Sequence, residues 1–148
     1  MYKKIMKNYT FLGSFLFGVG IIGMLDGIIF HQLLQWHSTY IRTNRFNQII
    51  SDGIFHLSVT VVIFVAAILL WKSDPNVKKE KFWGGFFLGA GWFNFLEGII
   101  NHHFLKIHHV KPGTYQLMYD LAYDTVGIVL IIIGWFMYKK GKYHRNWK

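Results

Sequence analysis

The chain has 148 residues, of which 53% are hydrophobic and 19% aromatic, and it carries a formal net charge of +9. Its charged residues lie in short stretches between long apolar runs, which is typical of an integral membrane protein and excludes a soluble globular domain. The sequence contains no cysteine, which excludes disulfides and thiolate metal sites. Basic and aromatic residues do not alternate on a polar face, so we expect no nucleic-acid binding.

Four apolar runs are long enough to cross a bilayer, which takes about 20 residues per helix. They cover residues 11–37, 53–71, 82–105 and 117–138. The first run does not resemble a cleavable signal peptide, because it is too long, contains Asp26 and recurs later in the chain. We therefore predict an all-α, four-transmembrane-helix bundle that forms a single integral membrane domain over residues 1–148.

The third run repeats the first at a shift of 71 residues, with 12 of the 27 pairs between residues 11–37 and 82–108 identical. Its matched polar pairs are Asp26/Glu97, His31/His102 and His37/His108. A β-branched helix follows each copy, so we divide the chain into two helix-pair repeats, about residues 11–72 and 82–140. Two spans per repeat predict parallel copies related by a pseudo-twofold axis along the membrane normal.

Glycines are frequent in both copies, and Gly18, Gly20 and Gly23 match the G-x-G-x-x-G pattern of dinucleotide sites. That pattern needs a strand, a turn and a helix start, and here it lies within an apolar span. Spacings such as Gly85 to Gly89 instead predict close helix packing.

Twelve of the 16 Lys and Arg residues lie in the N-terminal tail, in the stretch 72–81 and in the C-terminal tail. Cytoplasmic loops carry the excess of basic residues, so we expect both termini in the cytoplasm. The basic ends also suit the anionic headgroups of the lipid bilayer.

Ten acidic and histidine residues then fall in or beside the outer halves of the spans. A charge at mid-bilayer costs at least about 2.5 to 3.5 kcal/mol, and such residues usually mark function. The predicted metal ligands are Asp26, His31, His37, Asp52, His56, Glu97, His102, His108, Asp120 and Asp124. His103 and His109 have no histidine counterpart in the first copy, and we expect them in a loop or behind the ligands.

Helical periodicity relates these residues further. At 3.6 residues per turn, an offset of 11 places Asp26 and His37 on one face, and likewise Glu97 and His108. Members of the pairs Asp52/His56 and Asp120/Asp124 are i, i+4 neighbours. His31 and His102 fall about 140° from Asp26 and Glu97.

Histidine and carboxylate ligands suit zinc, iron or divalent copper, and bundles collect such ligands from several helices. His31 and His102 are also a symmetric pair for the axial ligands of a b-type haem. Three non-metal interpretations remain open at this stage: helix capping by Asp52 and Asp120, a structural polar network, and a proton relay.

Three segments resemble a family of small bacterial four-span membrane proteins whose function is unknown. They are LDGIIFHQLLQWH at 25–37, DGIFH at 52–56 and EGIINHHFLKIHHV at 97–110. The resemblance implies a four-span fold in the bacterial cytoplasmic membrane. The distribution of basic residues places the polar cluster on the extracytoplasmic side. Because relatives occur near cytochrome oxidase assembly factors, the resemblance also implies partnership with a respiratory membrane complex or its assembly factors.

Three functions follow from the sequence. The first is metal binding at an outward-facing site, in metal handling or respiratory-enzyme maturation. The second is a di-metal oxygenase or hydrolase, with metal-activated water and a carboxylate as general base. The third is haem binding or a proton relay. The sequence is compatible with a homo-oligomer under all three.

Overall fold

The computed structural model describes residues 2–77 and 79–143, and within them all regular structure is helical. The order of elements is α1 (Tyr2–Asp26), the π-helix π1 (Gly27–Leu33), α2 (Arg45–Trp71), α3 (Lys79–Glu97), the π-helix π2 (Gly98–Phe104) and α4 (Gln116–Tyr143). Lys78, Arg145 and Lys148, three of the basic residues that predict the orientation, lie outside the described residues. The all-α prediction is confirmed for the part of the chain that is described.

Three of the helical stretches are long and apolar enough to cross a membrane: Asn8–Leu33, Arg45–Trp71 and Gln116–Gly141. The most apolar stretch of Arg45–Trp71 is only 11% buried inside the protein, which suits a helix that faces lipid. Helix α3 is less apolar, because it starts with Lys79, Glu80 and Lys81 and ends at Glu97. A fourth span remains a prediction.

The four helices pack as a row in the order α2, α1, α3, α4. Helices α1 and α3 form the centre of the row, where two glycines allow their backbones to touch. A Cβ atom at Gly18 would collide with the carbonyl oxygen of Phe86, and one at Gly89 with that of Phe15. These two contacts correspond under the 71-residue shift, as do many contacts described below.

The outer helix pairs, α1 with α2 and α3 with α4, also pack through equivalent glycines. A Cβ atom at Gly20 would meet Val59 and Ile63 on α2, and one at Gly91 would meet Gly127 and Ile131 on α4. Here the shift from α2 to α4 is 68 residues. Because the two connecting loops, 34–44 and 105–115, are equally long, α4 begins three residues later than α2 relative to these matched contacts.

The first and third apolar runs do not stay α-helical to their ends. Both change to π-helix at the same repeat position, after Asp26 in one copy and after Glu97 in the other. A π-helix bonds residue i to i+5, is rare and is frequently found at functional sites. Two residues after the end of each π-helix lies a residue with a positive φ, Gln35 at 49° and Lys106 at 50°.

The structure corrects two predicted helix limits. The first run ends as a helix at Leu33 rather than at residue 37, so His37 lies in a loop. Helix α2 begins at Arg45, where the Asn44 side chain accepts a hydrogen bond from Asn47 N. Asp52 is therefore two turns inside α2 and does not cap it, and Asp120 lies beyond the first turn of α4. The capping interpretation is wrong for both.

Candidate metal centre

All the residues of the candidate site lie at one end of the helix row, where α1 and α3 end and α2 and α4 begin. Two groups of side chains there could each hold a metal ion, with ligand atoms all within 4.8 Å of one another. The groups are Asp26, His31 and His37, and their counterparts Glu97, His102 and His108. All six side chains are at least nine-tenths buried or close to it, and His102 is only 1% exposed.

The π-helices bring the first histidine of each group to its carboxylate. His31 is five residues after Asp26, and its Nε2 atom lies 3.4 Å from Asp26 Oδ2. In the second repeat His102 Nε2 lies 3.5 Å from Glu97 Oε2. In an α-helix these pairs would be about 140° apart, and the wider π turn places them on one face instead.

The second histidine of each group comes from a loop and is held by the opposite repeat. His37 Nδ1 donates a hydrogen bond to the carbonyl of Val110 at 2.8 Å, and His108 Nδ1 donates to the carbonyl of Thr39 at 2.9 Å. His37 does join Asp26, as predicted. The predicted reason, a shared α-helical face, is wrong, because the helix ends four residues before His37.

Asp52 and Asp120 lie beside the Nδ1 atoms of His31 and His102. Asp52 Oδ1 accepts hydrogen bonds from His31 Nδ1 at 3.0 Å and from Thr39 N at 2.7 Å. Asp120 Oδ1 accepts one from Val110 N at 2.9 Å and lies 3.6 Å from His102 Nδ1. Carboxylates commonly orient metal-binding histidines in this way.

Nε2 of His31, His37 and His102 has no hydrogen bond among the described residues and is free for a ligand, whereas Nε2 of His108 bonds Glu97 Oε1. Nδ1 of His31, His37 and His108 bonds a carbonyl or a carboxylate, so Nε2 carries the lone pair when those rings are neutral. His102 Nδ1 lies 3.6 Å from Asp120 Oδ1 and makes no hydrogen bond. Three of the buried polar atoms without a hydrogen-bond partner among the described residues are His31 Nε2, His102 Nε2 and Glu97 Oε2. Such unpaired buried atoms are costly unless a water or an ion satisfies them.

The two loop histidines differ in their affinity for protons. Burial, together with the nearby His108 and His31, lowers the pKa of His37 to about 4, so His37 is neutral at neutral pH. Burial also acts to lower the pKa of His108. Its hydrogen bond to Glu97, 2.8 Å from Nε2 to Oε1, and the charge of Glu97 outweigh burial and raise that pKa above 6.5.

The site also concentrates negative charge. Four buried carboxylates, Asp26, Asp52, Glu97 and Asp120, surround the four histidines of the two groups. Burying charges without compensation is very unfavourable. Two divalent cations would balance four carboxylates, and nearby basic side chains such as Arg42 are instead engaged in the exposed loops.

The second repeat adds two ion pairs that the first does not have. His103 Nε2 lies 2.7 Å from Asp124 Oδ2, and His109 Nδ1 lies 2.8 Å from Asp120 Oδ2. Asp124 corresponds to His56 in the first repeat, and these two side chains pack against Gly98 and Gly27 respectively. Asp124 and His56 are outside the two groups of candidate ligands. The structure thus brings together six of the ten predicted ligands, and Asp52 and Asp120 lie directly behind them.

Sequence analysis did not single out Tyr123. Its ring lies 5.2 Å from that of His102, and its buried hydroxyl is close to both Asp26 and Glu97 without a hydrogen bond of ordinary geometry in the described residues. Its counterpart in the first repeat is Phe55, which packs 5.7 Å from His31. Tyr123 lies three residues after Asp120, on the same side of α4. This spacing was the signal in the sequence that could have identified it.

Residues 13–141 match the family model described as predicted membrane protein (DUF2243), and the chain belongs to this family. Searches of curated proteins and of solved structures found no match. The family description supports the membrane location and assigns no activity, so the function has to be argued from the site.

Proposed function

We propose that this member of the family is a four-span membrane protein that holds two divalent transition-metal ions at the extracytoplasmic end of its helices. One observation carries the proposal. Four buried histidines each have Nδ1 directed at a carbonyl or carboxylate, and this leaves Nε2 to act with Asp26 or Glu97 in two matched groups.

The distances suit metal coordination after a small adjustment. Zinc or iron binds nitrogen and oxygen at about 2.1 Å, so two atoms on one ion lie at most about 4.2 Å apart. The ligand atoms in each group are within 4.8 Å of one another. Side-chain movements of well under an ångström would bring the ligand atoms of each group within this limit.

The donor set favours iron or zinc. Two histidines and one carboxylate with open positions are the pattern of non-haem iron oxygenases, and the same set binds catalytic zinc. Divalent copper also accepts imidazole, but its preference for square-planar ligation matches a three-residue group less well. Three protein ligands leave at least one position on each ion for another molecule.

The equivalent contacts of the two repeats support the proposed four-span arrangement in the membrane. The contacts of Gly18 with Phe86 and of Gly89 with Phe15 support a pseudo-twofold relation between the repeats. If α3 spans the membrane like its counterpart α1, both termini and residues 72–78 lie on one side and the metal groups on the other. The basic residues then assign that first side to the cytoplasm.

The burial of the ligands argues for a resident centre more than for a transfer site. A protein that hands metal to a partner exposes ligands that the partner can replace, whereas His31 and His102 are only 4 and 1% exposed. Catalysis is thus the second candidate function, and the observation that favours it is that each group has only three ligand residues. Bound metal would supply an activated water or oxygen there, and a role in respiratory-enzyme maturation rests on the family resemblance.

The haem alternative has less support from the contacts. His31 Nε2 and His102 Nε2 each face a carboxylate rather than an open slot. In addition, the rings of His37 and His108 lie next to both of them, at centroid distances between 4.5 and 6.4 Å. A porphyrin would have to displace both loop histidines.

Elemental analysis of detergent-purified protein tests the proposal. We expect two ions per chain in the wild type and fewer than 0.2 in the His31→Ala/His102→Ala variant. The His56→Ala variant is the matched control, because it removes a histidine from the same region that belongs to neither group. A folded wild type without metal after growth in metal-replete medium, or equal loss in the His56 control, would overturn the proposal.

A further inference from the structure

Two apolar grooves approach the candidate metal centre from the sides of the helix row. The α1/α4 groove has a volume of about 400 Å³ and ends at Asp26. The α2/α3 groove also has a volume of about 400 Å³ and ends at Glu97. Since Asp26 and Glu97 are counterparts, each metal group has its own groove. Volumes in this range suit small-molecule ligands.

The α1/α4 groove opens toward lipid rather than toward water. Leu25, Ile29 and Val126 line it and are 44, 38 and 52% exposed, and all three lie in stretches apolar enough to span a membrane. At the loop end the rings of Trp36 and Tyr119 pack 5.5 Å apart, and Lys111 Nζ lies over both. Trp36 and Tyr119 line the groove at that end.

The lining changes in character along the α1/α4 groove. Near Asp26 it is aromatic, with Phe30 within 5.5 Å of Trp36 and within 6.5 Å of Tyr123 between ring centroids. Away from Asp26 it is aliphatic, with Ile22 and Val126. This pattern suits a molecule with a flat aromatic head and a long apolar chain, because aromatic rings pack favourably on one another.

The polar atoms at the inner end define the head more closely. The Asp26 carboxylate accepts hydrogen bonds, and the Tyr123 hydroxyl is buried beside it without a partner of ordinary geometry in the described residues. A head with hydroxyl groups satisfies both atoms. An anionic head, such as the phosphate of a phospholipid or a fatty-acid carboxylate, would be repelled by the buried carboxylates.

The α2/α3 groove is also lined by aromatic rings, among them Phe15, Trp92 and Phe93, but it lacks the buried hydroxyl and so serves as an internal comparison. Phe55 stands where the other groove has Tyr123, and Gly23 stands where it has Asn94. The grooves otherwise share size and matched residues such as Leu25/Leu96 and Ile29/Ile100. The hydroxyl that distinguishes the α1/α4 groove is therefore a specific addition to a symmetric scaffold.

We infer that the α1/α4 groove binds a bilayer-dissolved lipid with a hydroxylated aromatic head, of the phenol or quinol class, and presents its hydroxyl group to Asp26 and Tyr123. This inference rests on the proposed function, since the head group would then reach the metal group that contains Asp26. It identifies the substrate class of that site and involves binding alone.

Binding of tritiated 4-dodecylphenol to protein in phosphatidylcholine nanodiscs tests the inference, with empty nanodiscs subtracted. We expect one saturable site per chain in the wild type. Val126→Trp fills the α1/α4 groove and should weaken binding at least tenfold. The matched control Val19→Trp fills the α2/α3 groove and should change it less than twofold. Tyr123→Phe should weaken it about five- to tenfold, the size of one lost hydrogen bond.

Dodecanol carries the same chain without the ring, and we expect it to compete at least tenfold more weakly than unlabelled 4-dodecylphenol. Equal competition by dodecanol, equal loss in the two tryptophan variants, or no saturable binding would overturn the inference. Metal content measured on the same samples separates the two proposals. Two ions without phenol binding overturn the groove alone, and saturable phenol binding without metal overturns the proposed function.

Discussion

The rings of His37 and His108 lie face to face, with centroids 4.7 Å apart and planes 6° from parallel, although 71 residues separate them in the chain. Each ring is held by a carbonyl from the loop of the other repeat, Val110 for His37 and Thr39 for His108. Each loop histidine is therefore oriented in part by the opposite repeat. The two candidate metal groups depend on one another through this contact.

The first prediction concerns the number of metal sites. If each group binds one ion, Asp26→Ala and Glu97→Ala should each reduce the metal content from two ions per chain to about one, and the double variant to none. A carboxylate ligand is lost from one group only, while the other keeps its full set. Elemental analysis of purified protein measures the stoichiometry.

Asp124→Ala is the matched control for these variants, since it removes a carboxylate from the same end of the protein that pairs with His103 instead. It should retain two ions. A single ion in the wild type that is lost completely in either single variant would show that the two groups share one metal.

The second prediction concerns the carboxylates behind the histidines. Asp52→Asn should keep two ions at saturating metal but lower the affinity of one site by about 10- to 100-fold, the usual effect of losing such a partner. The asparagine amide can turn its NH₂ group toward His31 Nδ1, which favours the tautomer with its proton on Nε2 and blocks that ligand atom.

Competition with a metal chelator measures this affinity. Asp74→Asn is the control, because Asp74 lies in the loop between α2 and α3 and accepts a hydrogen bond from Asn76 N. Unchanged metal affinity in Asp52→Asn would show that His31 needs no carboxylate to bind. Complete loss of metal at saturation would make Asp52 itself a ligand.

Much of this architecture could be predicted from the sequence. The 71-residue repeat identified Asp26/Glu97, His31/His102 and His37/His108 as equivalent pairs, and these six residues form the two candidate groups. Apolar runs located the four helices within a few residues at most ends. Both results depend on composition and periodicity, which can be read from the sequence without knowledge of the local backbone geometry.

What the sequence did not reveal depends on backbone geometry that deviates from an ideal α-helix. The π turns after Asp26 and Glu97 have no composition signal of their own, and they move His31 and His102 onto the face of the carboxylates. The roles of the Thr39 and Val110 carbonyls arise from contacts between repeats, at sequence separations of 69 and 73 residues. No local pattern encodes such contacts.

The third prediction concerns the α1–α3 contact. Gly18→Ala places a methyl group against the carbonyl oxygen of Phe86, and backbone atoms cannot move aside as side chains do. We expect a loss of about 1 to 3 kcal/mol in the free energy of unfolding, with a lower Tm in detergent. Gly89→Ala should behave alike, because it meets the carbonyl of Phe15.

Gly53→Ala is the matched control for these glycines. It lies within α2, and a Cβ atom there would meet nothing within 4 Å. Alanine favours a helix over glycine by about 0.8 to 1.0 kcal/mol, so its Tm should stay equal or rise. An undiminished Tm in Gly18→Ala would mean that the two central helices pack less closely than described.

The last prediction concerns orientation and the fourth span. The chain has no cysteine, so single cysteines can be placed without background labelling. Thr114 in the loop before α4 and Asn76 in the loop before α3 are both exposed, and they lie on either side of α3. With α3 crossing the membrane, Thr114→Cys should react with an impermeant maleimide in intact cells, and Asn76→Cys only after permeabilisation. Labelling of both positions in intact cells would place α3 on one side of the membrane, and the reverse pattern would place the metal groups in the cytoplasm.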